Sequence, residues 1–217
     1  MSKIVHPYSH RLGIIRGWRA HWFALPGKMA VFLKPDVLLR DYLENRLRGL
    51  FVANLEIERR QNYFKIIIHT SRPGAVIGRS GEAMAKLKED IIKFMRHKKL
   101  TLPTELKIDV LEVADPEANA AIAAYMVAEG LEKRMPFRRV VKQVIEKIMA
   151  TRGVKGARIA LSGRIDGAEI ARHEEIKRGS IPLQTIRADI DYKRERAHLP
   201  YGDLGIKVWV YKGEIFN

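Results

Sequence analysis

The spacing of apolar positions changes several times along the chain, and each change marks an element. After Lys34-Pro35-Asp36, Leu39, Leu43, Leu47 and Leu50 recur at helical spacing, which predicts a helix opening at that tripeptide. Leu55-Glu56-Ile57-Glu58 alternates apolar with charged, and Tyr63 to Ile68 is rich in β-formers. Two strands are therefore expected, with a turn at Gln61-Asn62. Pro73-Gly74 begins a short segment that ends at Gly78-Arg79-Ser80-Gly81, where a long helix starts with Met84, Leu87, Ile91 and Met95 on one face. Pro103 closes the next loop, and Leu106-Lys107-Ile108-Asp109-Val110 alternates as a further strand. The order over residues 35–113 is α-β-β-α-α-β.

The flanking regions follow other patterns. Residues 1–34 carry Pro7, Gly13, Gly17, Pro26 and Gly27 among Arg11, Arg16, Trp18, Arg19, Trp22 and Phe23, so an extended basic and aromatic arm is expected. Asp115-Pro116 has the form of a helix start and opens a second unit with an Ala-rich helix to about Lys133. Pro136 starts another helix, whose apolar stripe is Phe137, Val140, Val141, Val144, Ile145 and Ile148; Gly153 and Gly156 end it. Four strands are predicted near 157–165, 168–178, 183–193 and 205–212, with Asp166-Gly167 and Gly179-Ser180 as turn dipeptides, so an antiparallel meander is the simplest pairing. The expected division is an arm over 1–34, one α+β domain over 35–114, and a second over 115–217 with two helices on a four-stranded, mostly antiparallel sheet.

Charge alters what these elements are for. Forty Lys and Arg against 25 Asp and Glu leave +15, and Cys is absent, which excludes disulfides, thiolate metal sites and Cys nucleophiles. The balances over 1–50, 51–100, 101–150 and 151–217 are +6, +6, −1 and +4, so the surplus falls in two blocks. Two polyanion-binding surfaces are expected, with nucleic acid the leading partner and an acidic membrane surface the second. The first residues carry no hydrophobic signal core and no run of about 18 apolar residues occurs, which predicts a soluble, intracellular chain.

Three G-x-x-G pairs occur, Gly78/Gly81, Gly153/Gly156 and Gly202/Gly205. Only the first follows two strands and Val76-Ile77 and runs straight into an amphipathic helix. Glycines at both ends let a sugar-phosphate backbone approach closely, and the free N–H groups of the helix start favour negative charge. Arg79 adds a charged donor, Ser80 fills the remaining position, and Val76, Ile77 and Met84 are expected to line an apolar groove for unpaired bases. A Walker A loop is excluded by spacing, because Gly74 and Gly78 are one residue too close and Arg79 stands where Lys is required. This segment resembles a KH domain of type II, a module that holds about four nucleotides of single-stranded nucleic acid at its GXXG loop.

The second basic surface is expected on the helix after Pro136, where Arg138, Arg139 and Lys142 fall within about 100° of arc opposite the apolar stripe, with Glu146 the one acid on that side. The strand near 157–165 puts Arg158 and Arg164 on one face, about 20 Å apart, spaced to bridge separate phosphates. Arg172, Lys177 and Arg178 follow. His6 and His10 lack further ligands, so no metal or cofactor is expected. Asp189 and Asp191 read as a charge ladder with Arg187 and Lys193. Trp209 and Tyr211 serve either stacking on bases or covering a sheet face. No nucleophile–base–orienter arrangement and hence no catalytic residue is visible.

Longer stretches identify a family. Arg11-Leu12-Gly13-Ile14, Ile68-His69-Thr70-Ser71-Arg72-Pro73-Gly74, Ser162-Gly163-Arg164, Gly167-Ala168-Glu169-Ile170-Ala171-Arg172 and Ile186-Arg187-Ala188-Asp189-Ile190-Asp191-Tyr192 resemble bacterial small-subunit ribosomal protein three, as does Gly205-Ile206-Lys207-Val208-Trp209-Val210. The resemblance implies a cytoplasmic, non-enzymatic ribosomal protein in the head of the small subunit. Its partners would be 16S-type rRNA, mRNA and neighbouring head proteins, with no membrane and no small-molecule substrate. It further implies that Arg138, Arg139 and Lys142 assist mRNA unwinding at the entrance of the mRNA path. Rank-and-file rRNA contacts are expected from Arg11, Arg16, Trp18, Arg19, Trp22, Arg158, Arg164, Arg172, Lys177 and Arg178. Family loops often carry two basic residues where this chain has Arg79 and Ser80, and some members carry a basic tail beyond the point where this chain stops. The competing readings are a free-standing KH regulator of mRNAs and, from distant eukaryotic kinship, a DNA-repair lyase using a Lys amine.

Overall fold

In chain order the elements are α1 (Pro7–His10), β1 (Ala20–His21), α2 (Met29–Arg46), β2 (Val52–Arg59), β3 (Tyr63–Thr70), α3 (Pro73–Ile77), α4 (Glu82–His97) and β4 (Glu105–Glu112). The second half adds α5 (Ala120–Glu132), α6 (Phe137–Ala150), β5 (Gly156–Gly163), β6 (Arg172–Gly179), β7 (Ala188–Leu199) and β8 (Gly202–Glu214). They come from a computed structural model that describes residues 5–60, 63–102 and 105–216. The turn expected at Gln61-Asn62 and the loop closed by Pro103 lie outside the described residues. The chain separates into two compact units, one from Trp18 to Ala114 and one from Asp115 onward that also takes in the stretch up to Gly17.

In the first unit α2-β2-β3-α3-α4-β4 reproduces the expected type II KH order. β2 and β3 pair antiparallel, β3 and β4 parallel, and β1 adds a short parallel edge beside β2, giving the sheet order β1-β2-β3-β4. The alternation in β2 and β3 sends Leu55, Ile57, Phe64, Ile66 and Ile68 to one face, where Leu39 and Leu43 of α2, Val76 of α3 and Leu87, Ile91 and Met95 of α4 close the core. That core fixes the start of α4 and hence the glycine loop before it.

α2 begins at Met29, ahead of the expected Lys34-Pro35-Asp36 start. A 3₁₀ turn at Pro26–Lys28 leads into it, and Pro35 sits inside the helix, buried, at the cost of one backbone donor. Its neighbour Asp36 is buried as well and accepts from the Arg40 guanidinium at 3.3 Å and the Trp22 indole at 3.4 Å.

The second unit is α5 and α6 against a fully antiparallel sheet ordered β6-β5-β8-β7. The meander expected from the turn dipeptides is corrected: β5 pairs with β8, and β6 and β7 do not pair. The reason lies in composition. β6 reads Arg-His-Glu-Glu-Ile-Lys-Arg-Gly and suits a solvated edge, whereas β5 and β8 supply Ile159, Leu161, Ile206, Val208 and Val210 to the core beneath α5 and α6. Asn119, not Asp115, caps α5, accepting from the N–H groups of Ala121 and Ile122 at 2.9 and 3.4 Å. Asp191 reaches the same helix end and accepts from Ala120 N–H at 2.9 Å. On the opposite sheet face Trp209 and Tyr211 are buried with Ala160, Ala188 and Ile190, so these two aromatics cover the sheet.

The arm expected to be extended over 1–34 is divided among ordered elements. Pro7–His10 forms one helical turn with Pro7 at its first position, and the Tyr8 hydroxyl donates to the Gly17 carbonyl at 2.6 Å. Gly and Pro punctuation marks local breaks, but long-range contacts set the path, among them those from Arg11 to the carbonyls of Leu183, Thr185 and Ala188.

Candidate nucleic-acid interface

The glycine loop connects α3 to α4. Gly78 has φ +74 and Gly81 φ +82, and between them Ser80 takes φ 52 in a single 3₁₀ turn. A Cβ on Gly78 would lie 2.6 Å from the Ala83 Cβ, so the residue is required both for its backbone conformation and for close packing of the loop on α4. Around Gly81 there is open space, and only its left-handed backbone selects glycine. No side chain caps the start of α4, and Arg79 and Ser80 just before it are exposed.

An apolar groove of about 220 Å³ borders the loop. Val76 lines it as expected, but Leu47, Leu50, Ala83 and Leu87 take the places foreseen for Ile77 and Met84. Arg46 and Lys86 stand at its edge, two cations the sequence reading missed. Lys86 lies one turn after Glu82 on α4, a spacing that carries no distinctive signal.

On α6 the stripe Val140, Val141, Val144, Ile145 and Ile148 is buried, and Arg138, Arg139 and Lys142 are all exposed on the far side. Among the described residues no carboxylate lies within ion-pair distance of these three. Glu146 is taken by Arg178 of β6 at 3.3 Å. The guanidinium of Arg138 stands 5.5 Å from the Phe137 ring centroid.

The remaining expected RNA contacts divide sharply. Arg11 is fully buried, a correction to its expected role. Its guanidinium donates to the carbonyls of Ala188 (2.6 Å), Thr185 (2.8 Å), Pro7 and Leu183 (both 3.1 Å), and burial lowers its pKa against the partial support of Asp189. Arg16 pairs with Asp189 at 2.5 Å, which replaces the ladder expected between Asp189 and its own strand. Arg158 is held by Glu175 and lies 4.8 Å over the Trp209 ring; its hydrogen bond lowers the Glu175 pKa. Arg164 donates to the carbonyls of Ala168 (2.9 Å) and Tyr201 (3.4 Å), tying two loops together. Arg19 and Trp22 are half-buried. Trp18, 66 % exposed, and exposed Arg172 and Lys177 remain outward-facing. Four arginines that look identical in sequence, Arg11, Arg16, Arg158 and Arg164, are thus engaged within the fold, because each meets a carbonyl or carboxylate from another strand or loop.

A type II KH sheet with its glycine loop intact, joined to a helix-on-sheet unit, defines a KH-class RNA-binding protein. Residues 38–118 match the KH domain family, and residues 127–210 match the family described as ribosomal protein S3, C-terminal domain. The chain is 43 % identical over 215 residues to small ribosomal subunit protein uS3 of Clostridium novyi, covering 99 % of this chain and 94 % of that one. It is 43 % identical to uS3c of Nephroselmis olivacea (99 % and 95 % covered) and 44 % identical to uS3 of Endomicrobium trichonymphae (100 % and 90 % covered). The chain belongs to the small ribosomal subunit protein uS3 family, and its role is that of a structural, non-enzymatic ribosomal protein.

Proposed function

We propose that the protein binds 16S-type rRNA in the subunit head and grips mRNA at the entrance of its path, where Arg138, Arg139 and Lys142 assist unwinding. The observation that carries this is the exposed face of α6: three cations with no carboxylate partner among the described residues, on a helix whose other face is locked into the core. A rigid helix holds the charges at fixed spacing, so a strand that pairs with them is kept from refolding into a duplex. The chain carries no nucleotide-hydrolysing loop, and translocation by the ribosome supplies the work. Exposed Trp18, Arg172 and Lys177, with the glycine loop, are assigned to RNA contacts.

The test is ribosome passage through a stable mRNA hairpin with subunits carrying Arg138→Ala, Arg139→Ala and Lys142→Ala. Passage slows while subunit assembly and passage along unstructured mRNA are kept. Unchanged passage through the hairpin removes α6 from the mechanism.

A further inference from the structure

Beside the first turn of α6 lies a cavity of about 320 Å³, floored by Leu131 and Leu204 and walled by the rings of Phe137 and Tyr201. A second hollow of about 500 Å³ continues from it, sharing Phe137 and Asp166. Neither belongs to the glycine loop, and the α6 cations do not by themselves account for either.

Three features show that this hollow is built. Arg164 spans its two loops, donating to Ala168 on one side and Tyr201 on the other, so the walls are fixed in the free protein. Tyr201 packs its ring 3.5 Å from where a Cβ on Gly167 would stand, yet remains 52 % exposed. Arg134 and Asp166, both lining residues, hold left-handed backbone at φ 58 and 53. At Arg134 this is the residue just past the end of α5, where Arg134 N–H bonds the Leu131 carbonyl and Met135 N–H the Gly130 carbonyl. Glycine is the usual occupant of that position, and here it is arginine. Non-glycine residues in this backbone region cluster at ligand sites.

The rim is cationic. Arg134, Arg138 and Arg172 are exposed there, without carboxylate partners among the described residues, against Asp166 and Glu174. Arg139 and Lys142 continue the positive surface along α6. An apolar, aromatic-walled hollow ringed by guanidinium groups suits a ligand that is flat and apolar in its body and anionic along its edge.

We infer that this hollow takes one unstacked base of single-stranded RNA, seated against Phe137 and Tyr201, while Arg138, Arg134 and Arg172 hold the flanking phosphates. Asp166 is placed to accept from an exocyclic amino group of that base. The inference rests on α6 being an RNA-binding face and adds how the strand is kept single: a base held in the hollow is unavailable for pairing.

The experiment compares binding of the full chain to an eight-nucleotide single-stranded RNA and to the same backbone with abasic positions. The proteins are the natural chain, Tyr201→Ala and Phe137→Leu, the last retaining apolar packing. Stacking on one aromatic site predicts a loss of about tenfold for base-containing RNA with either variant, none for abasic RNA, and an unchanged salt slope. RNA carrying 4-thiouridine crosslinks to the peptides bearing Phe137 or Tyr201. Equal losses on both RNAs, no loss on either, or crosslinks only elsewhere overturn the base site; a hollow filled instead by an apolar side chain of a neighbouring protein gives the no-loss result. Failure of α6 as an RNA face is read separately, as a salt slope that Arg138→Ala with Arg139→Ala leaves unchanged.

Discussion

Glu146 on α6 accepts a hydrogen bond from the Arg178 guanidinium of β6 at 3.3 Å, four residues along the helix from Lys142. The pair occupies the one carboxylate of α6, so Glu146 does not pair with the three neighbouring cations. Both partners are about half exposed, and the pair itself contributes only about 0.5 kcal/mol to stability. Arg178→Ala therefore leaves the unfolding midpoint nearly unchanged but frees Glu146 to meet Lys142 across one helical turn. Single-strand affinity falls in Arg178→Ala and recovers in Arg178→Ala with Glu146→Gln, as fluorescence anisotropy at low salt checks. No recovery would mean that Arg178 acts only through its own charge.

Arg11 is expected to matter to the fold and not to RNA. Replacing it with Met leaves the carbonyls of Pro7, Leu183, Thr185 and Ala188 without their donor inside the second unit. The cost is about 3 kcal/mol or more, seen as a lowered denaturant midpoint. The RNA salt slope of the surviving folded protein stays at its natural value.

The two loop glycines differ in what they tolerate. Gly78→Ala meets Ala83 at 2.6 Å in addition to an unfavourable backbone, whereas Gly81→Ala meets nothing within 4 Å. Backbone strain alone costs about 1–2 kcal/mol in Gly81→Ala. Gly78→Ala is destabilised further and shifts the start of α4, so it also loses RNA affinity; chemical denaturation and binding of the two variants separate the effects.

Lys65 on β3 and Asp109 on β4 pair at 2.9 Å on the sheet face away from the helices. The Lys65 hydrogen bond lowers the Asp109 pKa, and the same bond raises that of Lys65. A depressed folded-state carboxylate pKa means stability present above the ordinary Asp range and lost as pH falls through the folded value. The raised Lys65 pKa adds stability below the ordinary Lys range, lost as pH rises through its folded value. Asp109→Asn flattens both limbs in unfolding midpoints measured from pH 2 to 11. An unaltered acid limb would show that the pair contributes nothing.

The KH order was legible because its residues obey local rules: Leu39, Leu43 and Leu47 at helical spacing, alternation through Ile57, and a glycine pair opening an amphipathic helix. The α6 face was legible for the same reason, since one helix carries both the stripe and the cations. What stayed hidden depends on partners far along the chain. Nothing near Arg11 announces carbonyls more than 170 residues away, and nothing in Asp191 announces that it caps α5. The sheet order β6-β5-β8-β7 followed from which strands are apolar enough for the centre, a comparison that turn dipeptides do not make. The hollow beside Phe137 escaped because its walls come from α5, α6 and two loops, and its aromatic residues look like ordinary core.

The salt dependence of single-strand RNA binding tests the proposed α6 contacts most directly. Removing three phosphate contacts in Arg138→Ala/Arg139→Ala/Lys142→Ala should reduce the slope of log K against log salt by about 2, at about 0.7 per contact on a single strand. A slope equal to that of the natural chain, with the variant folded, would mean that these cations touch water and not RNA.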